Sequence, residues 1–148
     1  MTTYVSNKKA RFDFEFLEEF EAGAILAGHE VKAIRSGKAH LTGSYVLIRG
    51  GEAFLVGASI SPYQVANTPR DYDPERVRKL LLHQKELNQL ERESEQSRLT
   101  VVPLQWYSKN GKIKLKIALA RGKKKQDKRE TLKERDSKRD LQRILKNQ

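Results

Sequence analysis

Three lysines that alternate with apolar residues are the part of this sequence best suited to chemistry. Lys112, Lys114 and Lys116 occupy every second position after Asn110-Gly111. The period of two indicates a strand, and Asn-Gly is a preferred two-residue turn of a β-hairpin. Pairing across this turn sets Tyr107 opposite Lys114. Lysines beside an aromatic ring suit a nucleic acid, because the lysines can contact its phosphates and a base can stack on the ring. A solvated outer face is an equally good interpretation, since exposed lysines also prevent strands from associating.

The last 28 residues, from Arg121 to Gln148, form a second cationic segment. They contain 12 Lys or Arg and 5 Asp or Glu, a net charge of +7, whereas the whole 148-residue chain carries +11. Such a segment can bind a polyanion because each neutralised phosphate releases counterions. Its few apolar residues form no wide stripe, so we expect it to be disordered alone and to order on a partner. The charge therefore predicts a nucleic-acid partner and no membrane.

The residues that precede this tail are predicted to form a mainly β domain, which we call the body. In the lysine hairpin, positions that sum to 221 face each other, which sets Val102 opposite Leu119 and makes the inward partners apolar. A second hairpin, Ser44–Val56, has apolar residues on both faces, so we expect both to be covered. Phe12–Leu26 predicts a strand that is bulged at Leu17–Glu21. About five or six antiparallel strands of this kind usually close into a small barrel.

Two helices are predicted within this β-rich body. Gly28–Lys38 has the spacing of a short helix. A longer helix is predicted at about 73–94, because Asp73 and Pro74 suit its first turn. Its apolar spacing buries Leu81 and turns Leu82 outwards.

The residues that usually support catalysis or bind metals are missing or scattered. There is no cysteine, and His29, His40 and His83 lie far apart in the sequence. The carboxylates Glu18, Glu19 and Glu21 are best interpreted as the solvent-exposed face of a strand, and Gly122-Lys123 lacks the rest of a phosphate loop. The sequence has neither a secretory signal nor an apolar run of membrane-spanning length. It therefore predicts a cytoplasmic binding protein that uses no metal or cofactor.

Short motifs spread along nearly the whole chain point to one family. In chain order they are Asn7-Lys-Lys-Ala-Arg11, Phe20-Glu-Ala-Gly23, Gly28-His-Glu-Val-Lys-Ala-Ile-Arg35, Gly51-Glu-Ala-Phe54, Arg78-Lys-Leu-Leu-Leu82, Val102-Pro-Leu104 and Asp127-Lys-Arg129. Their order and spacing resemble the SsrA-binding protein family, also called small protein B, the partners of transfer-messenger RNA in bacterial ribosome rescue.

The resemblance implies a fold and a division of labour. It implies a closed, oligonucleotide-binding-like (OB-like) antiparallel barrel with flanking helices over residues 1–120, which binds the tRNA-like domain of the RNA as a monomer in a one-to-one complex. Residues 121–148 then form a basic tail that becomes helical in the empty mRNA path of a stalled ribosome, at the decoding centre.

The resemblance also implies which residues contact each partner. The predicted RNA-binding residues, some of them suggested by the lysine hairpin itself, are Asn7, Lys8, Arg11, Glu21, Lys32, Arg35, Lys38, Leu81, Tyr107, Lys112, Lys114 and Lys116. The predicted ribosome-binding residues are Lys123, Lys124, Gln126, Asp127, Lys128, Arg129, Arg135, Arg139 and Arg143. Gln126 stands where the family often has an aromatic residue or histidine, which weakens any stacking there. Whether Leu81 or Leu82 faces the RNA stays open, because helical periodicity buries Leu81.

An RNA-binding adaptor for ribosome rescue is the function that the sequence favours. A ribosome-assembly or structural ribosomal RNA-binding protein is the alternative, and it differs in binding ribosomal RNA instead of a free tRNA-like RNA. A nuclease or RNA-modifying enzyme is disfavoured, because the sequence contains no pattern of a nucleophile and a base.

Overall fold

The structure is a computed structural model that describes residues 1–96 and 99–123. The predicted ribosome-binding residues from Lys124 to Arg143 lie outside the described residues. The elements of the described part are β1 (Thr2–Ser6), α1 (Lys8–Asp13), β2 (Phe14–Ala24), α2 (Gly28–Arg35), β3 (Ala39–His40), β4 (Tyr45–Arg49), β5 (Glu52–Val56), β6 (Ser59–Ile60), a 3₁₀ turn (Val65–Asn67), β7 (Arg78–Leu81), α3 (Gln84–Gln96), β8 (Thr100–Lys109) and β9 (Lys112–Gly122).

Antiparallel pairing joins seven of these strands into one sheet. Their order is β1-β8-β4-β5-β7-β2-β9, while β3 pairs with β6 in a separate two-stranded sheet. Since β8 also pairs with β9, the pairings that run from β8 through β4, β5, β7, β2 and β9 return to β8. The prediction of a mainly β body with flanking helices is confirmed. There are more strands than the five or six predicted, because β1, β3 and β6 are too short or too polar to show a pattern.

The β8–β9 hairpin has the predicted turn and, near that turn, the predicted register. Asn110 and Gly111 have φ values of 52° and 75°, as a type I′ turn requires. Tyr107 pairs with Lys114, but a bulge between Pro103 and Gln105 shifts the remainder by one, so that Val102 pairs with Ala118 instead of Leu119. Pro103 has no N–H to donate to the ladder, and a bulge accommodates such a residue.

The bulge gives the two halves of β8 different outer faces. Beyond it, Val102 turns outwards and packs with Ala118 and Ala120 against Ala10 of α1. The main core lies on the inner face, around Trp106 and Ile117, which are both fully buried. α1 therefore covers the half of the hairpin's outer face that is far from the Asn110-Gly111 turn. The half next to the turn carries polar residues.

The helix predicted at 73–94 is wrong in its first half. The Asp73 side chain accepts a hydrogen bond from the Glu75 N–H (2.9 Å) in a turn, and the chain then continues as β7. β7 pairs with β5 and β2, so alternation along a strand, not helical spacing, decides which side chains are buried. Leu80 is buried, Leu81 is 52% exposed and Leu82 packs partly against the core. The predicted burial of Leu81 and outward orientation of Leu82 are thus reversed.

The β4–β5 hairpin has the predicted register, with Arg49 opposite Glu52 and Leu47 opposite Phe54. Its predicted cover on both faces is wrong, because only the face with Val46 belongs to the core, whereas Leu47 is 42% exposed. The bulge in β2 is confirmed between Phe16 and Glu18.

The helices around these strands differ in how far they were predicted. The short helix within Gly28–Lys38 is confirmed as α2. Phe12 belongs to α1 instead of the predicted strand. Across 1–96 and 99–123, no helix combines the length and the apolar character needed to cross a membrane.

Candidate nucleic-acid interface

A groove lies on the outer surface where β2, β7 and β9 meet. It consists of two adjoining depressions that share Gly23, Leu81 and Lys114, and we refer to it as the β2–β9 groove. Its other lining residues include Glu21, His83 and Glu86 on one side and Arg35, Lys112 and Ile113 on the other. Five of the predicted RNA-binding residues, namely Glu21, Arg35, Leu81, Lys112 and Lys114, are thus brought to one surface.

Strand pairing places the floor of the groove. Gly23 of β2 pairs with Leu81 of β7, and Ala22 pairs with Leu115 of β9, so the outward residues of three strands meet there. A Cβ at position 23 would lie 3.4 Å from the Leu81 Cβ, so glycine keeps the space beside that leucine open. The exposed Leu81 side chain gives the floor an apolar contact that a nucleobase or a ribose can cover.

Helix α2 contributes one of the cations on the β9 side of the groove. The Arg35 guanidinium donates a hydrogen bond to the Gly111 carbonyl (3.1 Å), which joins the end of α2 to the β8–β9 turn. Lys112 and Lys114 follow directly after this turn. Three cations from two elements that are far apart in the sequence therefore line one side of the groove.

A buried ion pair fixes the other end of α2. The Glu30 and Arg78 side chains are both fully buried, and an Arg78 Nη2 lies 2.7 Å from a Glu30 carboxylate oxygen. Glu30 also accepts hydrogen bonds from Arg76 and from the Ala27 N–H (2.9 Å). Burial alone raises the pKa of Glu30, but the hydrogen bonds from Arg76, Ala27 and Arg78 outweigh it and lower the pKa to about 2. The carboxylate is therefore ionised at neutral pH.

Tyr107 is not available as a stacking surface. It faces outwards, away from the neighbouring Trp106 as strand alternation predicts, but it is only 1% exposed. The Lys116 ammonium lies 5.9 Å from the centre of the ring, on its face. The prediction that the ring contacts RNA does not fit this burial. Lys116 itself is partly exposed beside the groove, 3.8 Å from Glu19.

Asn7 has a structural position and not a surface one. It is 2% exposed, its side-chain oxygen accepts from the Ala10 N–H (3.2 Å) as the N-cap of α1, and its amide donates to the Pro103 carbonyl (2.9 Å). The prediction that Asn7 contacts RNA does not fit this burial.

The remaining predicted cations are exposed but do not line the groove. Lys8 and Arg11 lie on α1, over the end of the hairpin that holds Ala118 and Ala120. About 20 Å of strand separates Ala120 from Lys114. Lys32 is exposed on α2, and the Lys38 ammonium lies 5.5 Å from the centre of the Tyr63 ring.

Sequence reasoning missed several residues of this surface, among them Lys109, His83 and Gly23. Lys109 forms an ion pair with Glu21 (3.2 Å), and His83 and Gly23 line the groove. The hairpin register already placed Lys109 directly opposite Lys112, so the signal for it was present. His83 and Gly23 had no signal in spacing, because the pairing of β2 with β7 brings them together.

A β-rich domain whose outer groove combines several cations with an exposed leucine has the character of an RNA-binding protein. The family model described as SmpB protein matches residues 4–147 of this chain. The chain belongs to the SmpB protein family.

Individual relatives agree with this assignment. The SsrA-binding protein of Gloeothece citriformis (strain PCC 7424) is 52% identical over 140 residues, which cover 95% of this chain and 90% of that protein. The SsrA-binding protein of Pseudomonas putida (strain GB-1) is 51% identical over 145 residues, 98% of this chain and 91% of that protein. A solved structure described as "tmRNA-SmpB: a journey to the center of the bacterial ribosome" contains a similar chain, with a TM-score of 0.68 and 45% identity over 82% of this chain and 85% of that one.

Proposed function

We propose that this protein is an adaptor that binds the tRNA-like domain of transfer-messenger RNA and delivers it to stalled ribosomes for trans-translation. It acts in the cytoplasm by binding and not by catalysis. The observation that carries the proposal is the β2–β9 groove, where Arg35, Lys112 and Lys114 lie around the exposed Leu81. The cations suit phosphates and the leucine suits a base or ribose, a combination that fits folded RNA better than an acidic protein surface.

The fold that supports this groove is best described as a closed OB-like barrel. We infer closure from the circuit of pairings that leaves β8 through β4 and returns to it through β9. Closure would hold β2, β7 and β9 in fixed positions, so that the groove is formed before RNA arrives. A preformed surface binds without the entropy cost of ordering its own backbone.

The predicted contacts divide between the groove and its surroundings. Within the groove, Lys112 and Lys114 neutralise phosphates, Arg35 adds a planar cation, and Leu81 packs against a base or ribose. Lys116 extends this surface along β9, while Lys8, Arg11, Lys32 and Lys38 add flanking charge where the RNA extends past the groove.

The basic tail has a separate role in this proposal. Residues 1–120 bind the RNA without help from residues 121–148. The tail, with its Asp127-Lys-Arg129 motif, occupies the mRNA path of the stalled ribosome near the decoding centre and becomes helical there. Its charge of +7 suits a channel lined by ribosomal RNA.

The test measures how RNA binding depends on salt. Lys114→Ala should weaken binding to the isolated tRNA-like domain and reduce the slope of log K against log salt by about one, the value for one lost phosphate contact. Lys79→Ala is the matched control. Lys79, like Lys114, points outwards from a strand and is partly exposed, but it does not line the groove. If both variants have the same affinity and slope, the groove is not the RNA site. Preference for a ribosomal RNA fragment over the tRNA-like domain would contradict the adaptor role.

A further inference from the structure

A second cavity lies between α1 and the paired strands β4 and β8, and we refer to it as the α1–β4 pocket. Its volume is about 340 Å³, which is within the range typical of sites for small ligands. It shares no lining residue with the β2–β9 groove. Since α1 packs over Ala118 and Ala120, the pocket lies towards the end of β9 that is far from the groove.

The bulge in β8 gives the pocket its apolar floor. Because the bulge turns Val102 outwards, this side chain packs against Ala10 of α1, and Phe14 packs against the same cluster. Val46 of β4 pairs with Val101, which sets the Tyr45 side chain beside Val102 on the outer face. Tyr45 is 43% exposed, so it offers an aromatic surface to a ligand, unlike the buried Tyr107.

The surroundings of the pocket are cationic. Lys9 is exposed on α1 and lines the pocket. The neighbouring segments 7–15 and 121–123 together contain five Lys or Arg and two Asp or Glu. The Lys123 N–H donates to the carbonyl of Asp13, which is another lining residue, so the basic tail leaves the body directly beside the pocket. A polyanion that binds the tail is therefore brought to this pocket.

Charge decides between the two kinds of occupant that an apolar pocket of this size can hold. An apolar side chain of a partner protein would use the floor but gain nothing from the cations. An unpaired nucleotide supplies both a flat base for the tyrosine ring and a phosphate for the lysine. The base of a nucleotide within a duplex stays stacked on its neighbours and cannot enter, so the nucleotide must be unpaired.

We propose that the α1–β4 pocket binds one unpaired nucleotide of the RNA that the basic tail contacts, with its base stacked on Tyr45 and its phosphate beside Lys9. This inference rests on the proposed function, in which residues 121–148 bind in a channel lined by ribosomal RNA. It gives the body a second RNA site, separate from the groove that binds the tRNA-like domain.

The test uses the full-length protein with its groove saturated by the tRNA-like domain. The probe is a short single-stranded oligoadenylate that carries 2-aminopurine, whose fluorescence is quenched when the base stacks. Residues 121–148 contain no aromatic side chain, so stacking on an aromatic ring reports the body and not the tail. The wild-type complex should bind the probe and quench it.

Substitutions at Tyr45 test the stacking contact. Tyr45→Ala should weaken probe binding by about tenfold, the order expected for one stacked base, and should abolish the quenching. Tyr45→Phe should bind and quench like the wild type, because it keeps the ring. Leu47→Ala is the matched control, since Leu47 lies on the outer face of the same strand and is equally exposed (42%) but does not line the pocket.

Substitution of Lys9 tests the phosphate contact. Lys9→Ala should reduce the slope of log K against log salt for the probe by about 0.7, the value for one phosphate of a single strand. Lys85→Ala, which removes an exposed lysine of α3 outside the pocket, should leave the slope unchanged. Equal slopes for these two variants would show that Lys9 contacts no phosphate and would overturn the proposed geometry.

Three other results would overturn the inference. The first is equal affinity and quenching in Tyr45→Ala and Leu47→Ala. The second is competition between the probe and the tRNA-like domain, because the pocket would then belong to the first RNA. The third is binding without quenching in the wild type, which would leave the pocket to an apolar side chain of a protein. Wild-type protein that fails to bind the tRNA-like domain contradicts the proposed function, whereas normal binding of that domain with any of these three results contradicts only the inference.

Discussion

Replacing Glu30 by glutamine should destabilise the protein more than any surface substitution. Glu30 is fully buried and joins α2 to Arg78, which is itself fully buried. Glutamine has nearly the same shape but no charge, so the variant tests the ion pair with little change in packing. Removing one member of a buried pair costs about 3–5 kcal/mol, since the other charge stays buried.

The pKa of Glu30 gives an independent magnitude. It falls from the ordinary value of 4.5 to about 2. Each unit corresponds to about 1.4 kcal/mol, so ionised Glu30 contributes on the order of 3 kcal/mol to the free energy of unfolding. Because the pKa is lower in the folded state, this contribution is fully present above about pH 4.5 and is lost as the pH falls towards 2.

Urea denaturation followed by tryptophan fluorescence measures this effect. The chain has one tryptophan, Trp106, and it is fully buried, so its emission reports the state of the main core. Glu52→Gln is the matched control, because Glu52 forms an ion pair with Lys79 (3.0 Å) in which both side chains are 42–50% exposed. Exposed pairs contribute about 0–1 kcal/mol, so the control should change the free energy of unfolding little.

The two variants should also differ in their pH dependence. The difference between wild type and Glu30→Gln should be about 3 kcal/mol at pH 7 and should shrink between pH 4.5 and 2. The reasoning is refuted if Glu30→Gln costs no more than Glu52→Gln, or if its cost is the same at pH 3 as at pH 7.

Three further variants test the groove and the tail. Leu81→Ala should weaken RNA binding by about tenfold and change stability by less than about 0.5 kcal/mol, because Leu81 is exposed. Val77→Ala, at a residue that is equally exposed (52%) but outside the groove, should change neither; equal RNA affinities for the two variants would contradict a role for Leu81. Truncation after Gly122 should leave RNA binding intact and abolish peptidyl transfer to charged transfer-messenger RNA on stalled ribosomes. Ser137→Pro should do nearly the same, because proline breaks a helix and keeps every charge, so full transfer activity in that variant would argue against helix formation.

Local patterns predicted the hairpins well and misassigned the segment around Arg78–Leu82. Asn110-Gly111 specifies its turn through its own backbone preferences, which no distant residue needs to support. The leucine run after Asp73-Pro74 fits a helix and a strand equally well by spacing alone. Pairing with β5 and β2 decides between them, and those partners lie elsewhere in the sequence.

Spacing in the sequence predicted only those groove residues that lie on a single strand. Alternation alone gave Lys112 and Lys114 on one face, and the family resemblance added Arg35, Glu21 and Leu81. The burial of Tyr107 could not be predicted from period two, which gives the direction of a side chain but not what covers it. Lys116 on the next strand lies over the ring and supplies part of this cover.

The strand β9 separates the two ends at which this protein would meet its partners. It begins with Lys112 at the groove and ends at Gly122, and the next N–H, of Lys123, donates to the Asp13 carbonyl (2.9 Å) at the end of α1. Eleven residues of strand span roughly 33 Å. Since β9 is paired along its length with β2 and β8, it cannot bend without breaking those ladders. Under the proposed function, RNA in the groove and a partner of the segment after Lys123 would therefore lie at opposite ends of β9 and would not compete for the same surface.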